Sequence, residues 1–224
     1  MKYFFSAGEA SGDVHAAQVI KELLKLDASA EITFLGGDRM AEAAGHEPLI
    51  HFSRMAFMGF IDVATHLPQV LGNLRRAKEA IRTMRPDAVV LVDYPGFNLN
   101  LARFAKELGI KVFYYIAPKL WAWKEYRIKQ LRRYVDCIFS ILPFEPAWFG
   151  ERGVKVDYVG NPSVEEVEEV LKSLPSRAEF LQRHGLSERP ILALVPGSRV
   201  GEIKANLPVM DAVARRHPEM QTVV

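Results

Sequence analysis

The sequence predicts an α/β fold built on a doubly wound parallel sheet. Short, near-continuously apolar runs recur from the first residue onward, the pattern of strands covered on both faces. Segments with a helical period alternate with them, as successive βαβ units require. The composition of the 224 residues is that of a globular chain, 49% hydrophobic and 25% charged, which excludes disordered, collagen-like and multi-span membrane proteins.

Strands are expected at Tyr3 to Ser6, Ile32 to Leu35, Ala88 to Val92, Val112 to Ile116, Ile138 to Leu142 and Val156 to Val159. The clearest helix carries Leu67, Val70, Leu71, Leu74, Ala77, Ile81 and Met84 at a 3.6-residue period, with Arg75, Arg76, Lys78 and Arg82 on its other faces. A second helix runs from Asn98 to Leu108 and stops at Gly109, where a C-terminal glycine is expected. These elements make a first domain over residues 1–162. The acidic run Ser163 to Lys172 opens a pair of linker helices over 163–189. From Pro190 a new unit starts: a strand Ile191 to Val195, a turn Pro196-Gly197-Ser198-Arg199, a helix to about Arg216 and a strand Thr222 to Val224. Residues 190–224 are too few to bury a core alone, so this second domain is expected to be incomplete.

Lys and Arg number 29 against 27 Asp and Glu, a net charge of +2 that does not point to a nucleic-acid partner. Cys137 is the single cysteine, so neither an internal disulfide nor a structural zinc pattern is available, and no metal is expected. The apolar run at Tyr3-Phe4-Phe5 is too short for a signal-peptide core, and a reduced cytoplasmic setting is expected.

In a doubly wound sheet ligands bind beyond the carboxyl ends of the strands, so those loops are the places to search. The first is Ser6-Ala7-Gly8-Glu9-Ala10-Ser11-Gly12-Asp13, before a helix expected from Val14. Glycines and helix-terminal amides suit an anionic or sugar ligand, and the carboxylates of Glu9 and Asp13 favour sugar hydroxyls over phosphate. It is equally a tight turn in which Asp13 steadies the helix start. The second is Asp93-Tyr94-Pro95-Gly96-Phe97-Asn98. A carboxylate at a buried strand's end sits where a general base would, with Pro-Gly turning the chain away and Asn98 capping the next helix, although Asp93 could simply accept bonds from that turn.

The loop Pro118-Lys119-Leu120-Trp121-Ala122-Trp123-Lys124 interleaves aromatic and basic residues. Single strands of nucleic acid, a sugar or lipid headgroup pocket, and plain packing of a tryptophan on the sheet all fit that pattern, and packing is favoured for at least one. Met55 to Leu71 is apolar, without Lys or Arg, and too short to span a bilayer; it is either core or an interfacial surface ahead of a basic helix. The Gly197-Ser198-Arg199 turn, with Glu202 beyond, suits a diphosphate at a helix N-terminus but is not a Walker loop.

In their order and spacing, GEASGD at Gly8 to Asp13, FMGFIDV at Phe57 to Val63, DYPGFN at Asp93 to Asn98, PKLWAWK at Pro118 to Lys124, LPFE at Leu142 to Glu145, VGNP at Val159 to Pro162 and PGSRVGEI at Pro196 to Ile203 resemble the lipid-A-disaccharide synthase family. These are inverting glycosyltransferases of the two-domain GT-B fold, and the resemblance covers the whole chain. It implies transfer of 2,3-diacylglucosamine from its UDP derivative to 2,3-diacylglucosamine 1-phosphate, giving UDP and the β-1,6-linked disaccharide phosphate of lipid A biosynthesis, with no cofactor.

On this resemblance Asp93 is the base, and Glu9 and Asp13 orient sugar hydroxyls or share that role. Gly8, Ser11, Gly12, Asn98 and Trp121 contact substrate, while Gly197, Ser198, Arg199 and Glu202 meet the donor, Arg199 offsetting diphosphate charge in place of a metal. Phe57, Met58, Phe60, Ile61 and Val63 would contact acyl chains on the cytoplasmic face of a Gram-negative inner membrane, and an oligomer is compatible with this. Asn161 replaces a histidine common in the family, and Ala117-Pro118-Lys119 departs from its usual Ser-Pro start. Family members continue well beyond this length. Two other readings stay open: another GT-B transferase or 2-epimerase of soluble UDP-N-acetylglucosamine, and a non-catalytic acceptor-binding fragment.

Overall fold

Apolar β-rich runs with both faces covered become β1 (Lys2–Ala7), β2 (Glu31–Gly36), β3 (Ile50–His51), β4 (Ala88–Val92), β5 (Lys111–Tyr115), β6 (Cys137–Ser140) and β7 (Asp157–Tyr158) in a computed structural model. They form one parallel sheet in the order β3-β2-β1-β4-β5-β6-β7. The structure describes residues 1–55, 67–197 and 200–224; the expectations at Phe57, Met58, Phe60, Ile61, Val63, Ser198 and Arg199 lie outside the described residues.

Side chains alternate across the sheet, so adjacent phenylalanines of β1 serve opposite cores. Phe4 packs with Leu91, Val112 and Tyr114 beneath α3 (Leu67–Met84) and α4 (Pro95–Glu107), which contribute Ala77, Ile81, Leu101 and Ala105. Phe5 packs with Phe34 under α1 (Ala10–Leu26) and α2 (Asp38–Ala44), which supply Ala16, Ala17, Ile20 and Met40. Burial of each phenylalanine contributes about 1.5–3 kcal/mol. Further on, α5 (Ile128–Tyr134) and α6 (Glu145–Gly150) bury Leu131 and Phe149 in the first of these cores.

The doubly wound sheet agrees with the sequence-based expectation, with four local corrections. The first helix starts at Ala10, not Val14, so Ser11, Gly12 and Asp13 are helical. The helix after β4 starts at Pro95, whose missing N–H is harmless at that position, so Asn98 lies inside it and is not its cap. Tyr94 and Asp93, rather than Pro-Gly, make the turn. The third strand, two residues long, was too short to show any period.

Contacts divide the chain into Met1–Val164 and Glu165–Val224. α7 (Pro162–Lys172) begins in the first unit, ends in the second and leads to α8 (Arg177–Arg183), closed at its start by a Ser176–Glu179 capping box. β8 (Ile191–Ala193) pairs in parallel with β9 (Gln221–Val223), Ile191 facing Gln221, and α9 (Val200–Ala214) connects them. The Gln221 amide donates to the carbonyls of Ser187 and Arg189 at 2.6 and 2.9 Å, fixing the entry to β8. Among the described residues no helix is long and apolar enough to cross a membrane.

Candidate functional site

The strand order reverses between β1 and β4: one branch of the sheet grows through β2 to β3, the other through β5 to β7. This switch point is where an open parallel sheet leaves a crevice beyond its carboxyl ends. Ala7 pairs with Val92 there, which sets Gly8 and Glu9 beside Asp93 and Tyr94.

Gly8 is buried because the Tyr94 ring lies across it; a β-carbon at that position would overlap Cγ and Cδ1 of the ring. Its absent side chain thus admits Tyr94 and not a ligand. The Tyr94 hydroxyl donates to the Met55 carbonyl at 2.8 Å. Gly8→Ala is expected to displace the ring and to destabilise the first unit by ~1–3 kcal/mol, read as a lower denaturant midpoint.

Asp93 is half-buried, and its backbone and that of Tyr94 are left-handed, with φ of 43° and 47°. Its main-chain N–H donates to Tyr115 at 3.1 Å, and its carbonyl accepts from the Tyr114 hydroxyl at 2.6 Å and the Asn98 amide at 2.8 Å. Burial, and then the Glu9 carboxylate, push the Asp93 carboxyl above the usual aspartate value; the Lys119 charge and the Tyr94 N–H act against them. Glu9 itself occupies the extended residue that precedes α1, with no side-chain capping bond.

Other expected site residues are placed differently. Asp13 is 2% exposed. Its Oδ1 accepts from the Gly37 and Met40 amides at 2.6 and 3.2 Å and its Oδ2 from the Arg39 amide at 3.1 Å, so the carboxylate is spent on the start of α2 and is not presented to a sugar. Asn98 is fully buried; its Oδ1 accepts from Ser6 Oγ at 2.7 Å and its amide donates to the Ser6 and Val92 carbonyls, both at 3.2 Å, besides Asp93. It ties β1 to β4 instead of touching substrate. Gly12 is buried against Ala7 and Val92, while Ser11 is exposed in the first turn of α1.

Trp121 is 39% exposed, set edge-on to Phe144 with 5.2 Å between ring centroids, and its indole donates to the buried Glu145 carboxylate at 3.1 Å. Trp123 is 63% exposed, with Lys124 Nζ 4.0 Å from its ring centroid. In the second unit Gly197 has φ of 109°, and a β-carbon there would lie 2.6 Å from Glu202 Oε2, so Glu202 folds back over its own turn. The switch point therefore gathers Gly8, Glu9 and Asp93, with two partners: Tyr94, which lies within the DYPGFN stretch, and Tyr114, which belongs to none of the motifs. Among the described residues no group of His, Cys, Asp and Glu could hold a metal ion.

The sequence profile of a family described as lipid-A-disaccharide synthetase matches residues 3–223. Similar curated proteins include the lipid-A-disaccharide synthases of Nitrosococcus oceani, 43% identical over 220 residues, and Acidobacterium capsulatum, 42% identical over 214 residues. These alignments take in 96% and 95% of this chain but 56% and 52% of the relatives; the chain spans about half the length of the curated relatives it matches. Among solved structures, UDP-GlcNAc 2-epimerase from Neisseria meningitidis bound to UDP-GlcNAc is similar at a TM-score of 0.65 and 14% identity, over 99% of this chain and 65% of that one. The Methanocaldococcus jannaschii UDP-GlcNAc 2-epimerase in complex with UDP-GlcNAc and UDP gives 0.61 and 13%, over 100% and 73%. At such identities the likeness shows the fold alone, of GT-B type.

Proposed function

We propose that this chain, which belongs to the lipid-A-disaccharide synthase family, serves a glycosyl transfer between two acylated sugars. The protein transfers 2,3-diacylglucosamine from UDP to the acceptor 2,3-diacylglucosamine 1-phosphate. What supports this chemistry best is Asp93, a half-buried carboxylate at the end of a central parallel strand, at the switch point and beside Glu9.

Ionised Asp93 takes the proton from the acceptor's 6-hydroxyl as that oxygen attacks the anomeric carbon; the bond from that carbon to UDP breaks on the opposite face and the configuration inverts. Glu9 raises the proton affinity of Asp93 toward that of a useful base and orients sugar hydroxyls. Ser11, exposed at the start of α1, and Trp121, beyond β5, contact the sugars. Gly197, Ser198, Arg199 and Glu202 belong to the donor side, where the Arg199 guanidinium and the amides of that turn offset charge growing on the diphosphate. Phe57, Met58, Phe60, Ile61 and Val63 meet acyl chains at the cytoplasmic face of the inner membrane, with Arg75, Arg76 and Lys78 next to anionic headgroups.

The charges around Asp93 make a signed prediction. The reaction needs the ionised base, so kcat rises with pH through the Asp93 pKa. Glu9→Gln removes the like charge and moves this acid limb to lower pH; Lys119→Met removes the opposing cation and moves it to higher pH. A kcat–pH profile of each variant checks both directions, and shifts of the same sign in the two would contradict the arrangement.

The function itself is tested by supplying the full-length protein with both diacylated substrates. UDP and tetraacyl disaccharide phosphate should form one for one. Interconversion of UDP-N-acetylglucosamine epimers, with no product from the acylated pair, would replace this reading by the 2-epimerase one.

A further inference from the structure

The turn that carries Asp93 is unfavourable for its sequence. Two successive non-glycine residues, Asp93 and Tyr94, hold left-handed backbone, with φ of 43° and 47°; for L-residues this crowds Cβ against the carbonyl. Such strain persists only where surrounding bonds over-determine it, and it is concentrated at functional sites.

At Asp93 the main-chain N–H is tied to the Tyr115 carbonyl at 3.1 Å, and two further restraints meet on one atom. The carbonyl oxygen accepts two side-chain bonds, from Tyr114 Oη at 2.6 Å and from Asn98 Nδ2 at 2.8 Å. Asn98 has two amide hydrogens for three acceptors, and its contact with Asp93 is the shortest of the three. Tyr114 faces Leu91 in the β4–β5 register, which makes Asp93, two residues further on, its diagonal neighbour within reach of an aromatic side chain. The Tyr114 ring is fully buried, and burial drives its pKa far above the usual value, so its hydroxyl remains a donor. A phenylalanine would fill the same space but lacks the hydroxyl that reaches the strained carbonyl.

We propose that Tyr114 is a positioning residue for the transfer: its hydroxyl, with the Asn98 amide, locks the Asp93 carbonyl and so holds the left-handed turn that presents the Asp93 carboxylate at the mouth of the switch point. Tyr114 is sealed from substrate and acts through Asp93 alone. The inference rests on Asp93 as the base and goes beyond it by naming what aims that base.

A double-mutant cycle tests it in the full-length protein, with kcat and KM measured for Asp93→Asn, Tyr114→Phe and the double variant. Tyr114→Phe is expected to lower kcat roughly tenfold or more, the scale of a misaimed catalytic group, with KM for both substrates changed less than about twofold. In the Asp93→Asn background the same substitution is expected to change nothing further, because no base is left to aim. A Tyr114 that only packs gives the same factor in both backgrounds, or no loss in either, and each of these results overturns the proposal while leaving the Asp93 base intact. Near-normal turnover by Asp93→Asn overturns the base assignment and the positioning role together. Circular dichroism melts of the four proteins set an assay temperature below the lowest midpoint, so that each kcat refers to folded protein.

Discussion

Asp93→Asn is expected to lower kcat by about 10²–10⁴-fold, the usual weight of a positioned general base, while both substrates still bind. It should also make the protein more stable at neutral pH. A carboxyl whose folded pKa lies above its unfolded value stabilises the fold fully only below that unfolded value, 3.8 for an ordinary aspartate, and the contribution is lost as pH rises through the folded value. At neutral pH the half-buried charge beside Glu9 is therefore a net cost to the fold. Asparagine keeps the shape and an acceptor for the Tyr94 N–H without the charge. Melting temperatures at pH 7 should rise in the variant, and the difference should shrink as the wild-type carboxyl is protonated. Loss of turnover together with loss of stability would point to a collapsed turn and not to a missing base.

Asp13→Ala has the opposite signature. Its carboxylate serves three amides at the start of α2, two of them belonging to Gly37 and the buried Met40. Removing it leaves those donors unmet in a site that water does not reach freely, a loss of about 2–4 kcal/mol. Urea denaturation should show the fall in midpoint, and kcat per folded molecule should stay within a few-fold of wild type. An unchanged midpoint with abolished turnover would return Asp13 to the chemistry.

That contrast shows where the sequence was legible. The sheet was, because parallel strands covered on both faces become uninterrupted apolar runs such as Ala88–Val92, and the helix Leu67–Met84 keeps its period through its whole length. Asp93 was legible as a polar residue at the end of such a run. Asp13 and Asn98 looked chemical for their residue types, yet helix phase held the correction. Asp13 lies on one stripe with Ala16, Ala17 and Ile20, and Asn98 with Leu101, Ala102 and Ala105, all of them buried. A polar residue on the apolar stripe of a helix faces the sheet and meets backbone there. The stripe shows only when the helices begin at Ala10 and Pro95; a helix from Val14 leaves Asp13 outside it, and one from Asn98 puts that residue at its first position. Tyr94 over Gly8, and Tyr114 on the Asp93 carbonyl, could not be found that way: these contacts join segments far apart in the chain, and neither tyrosine is unusual in its own segment.

Whether the carboxylate at the β1–β4 switch point is the titrating base of the transfer is read from the kcat–pH profile of wild type beside that of Asp93→Asn. Wild type should show an acid limb displaced above the ordinary aspartate value, and the residual turnover of the variant should lack that limb. An acid limb that persists at the same pH in Asp93→Asn would assign the proton to another group and remove Asp93 from the base role.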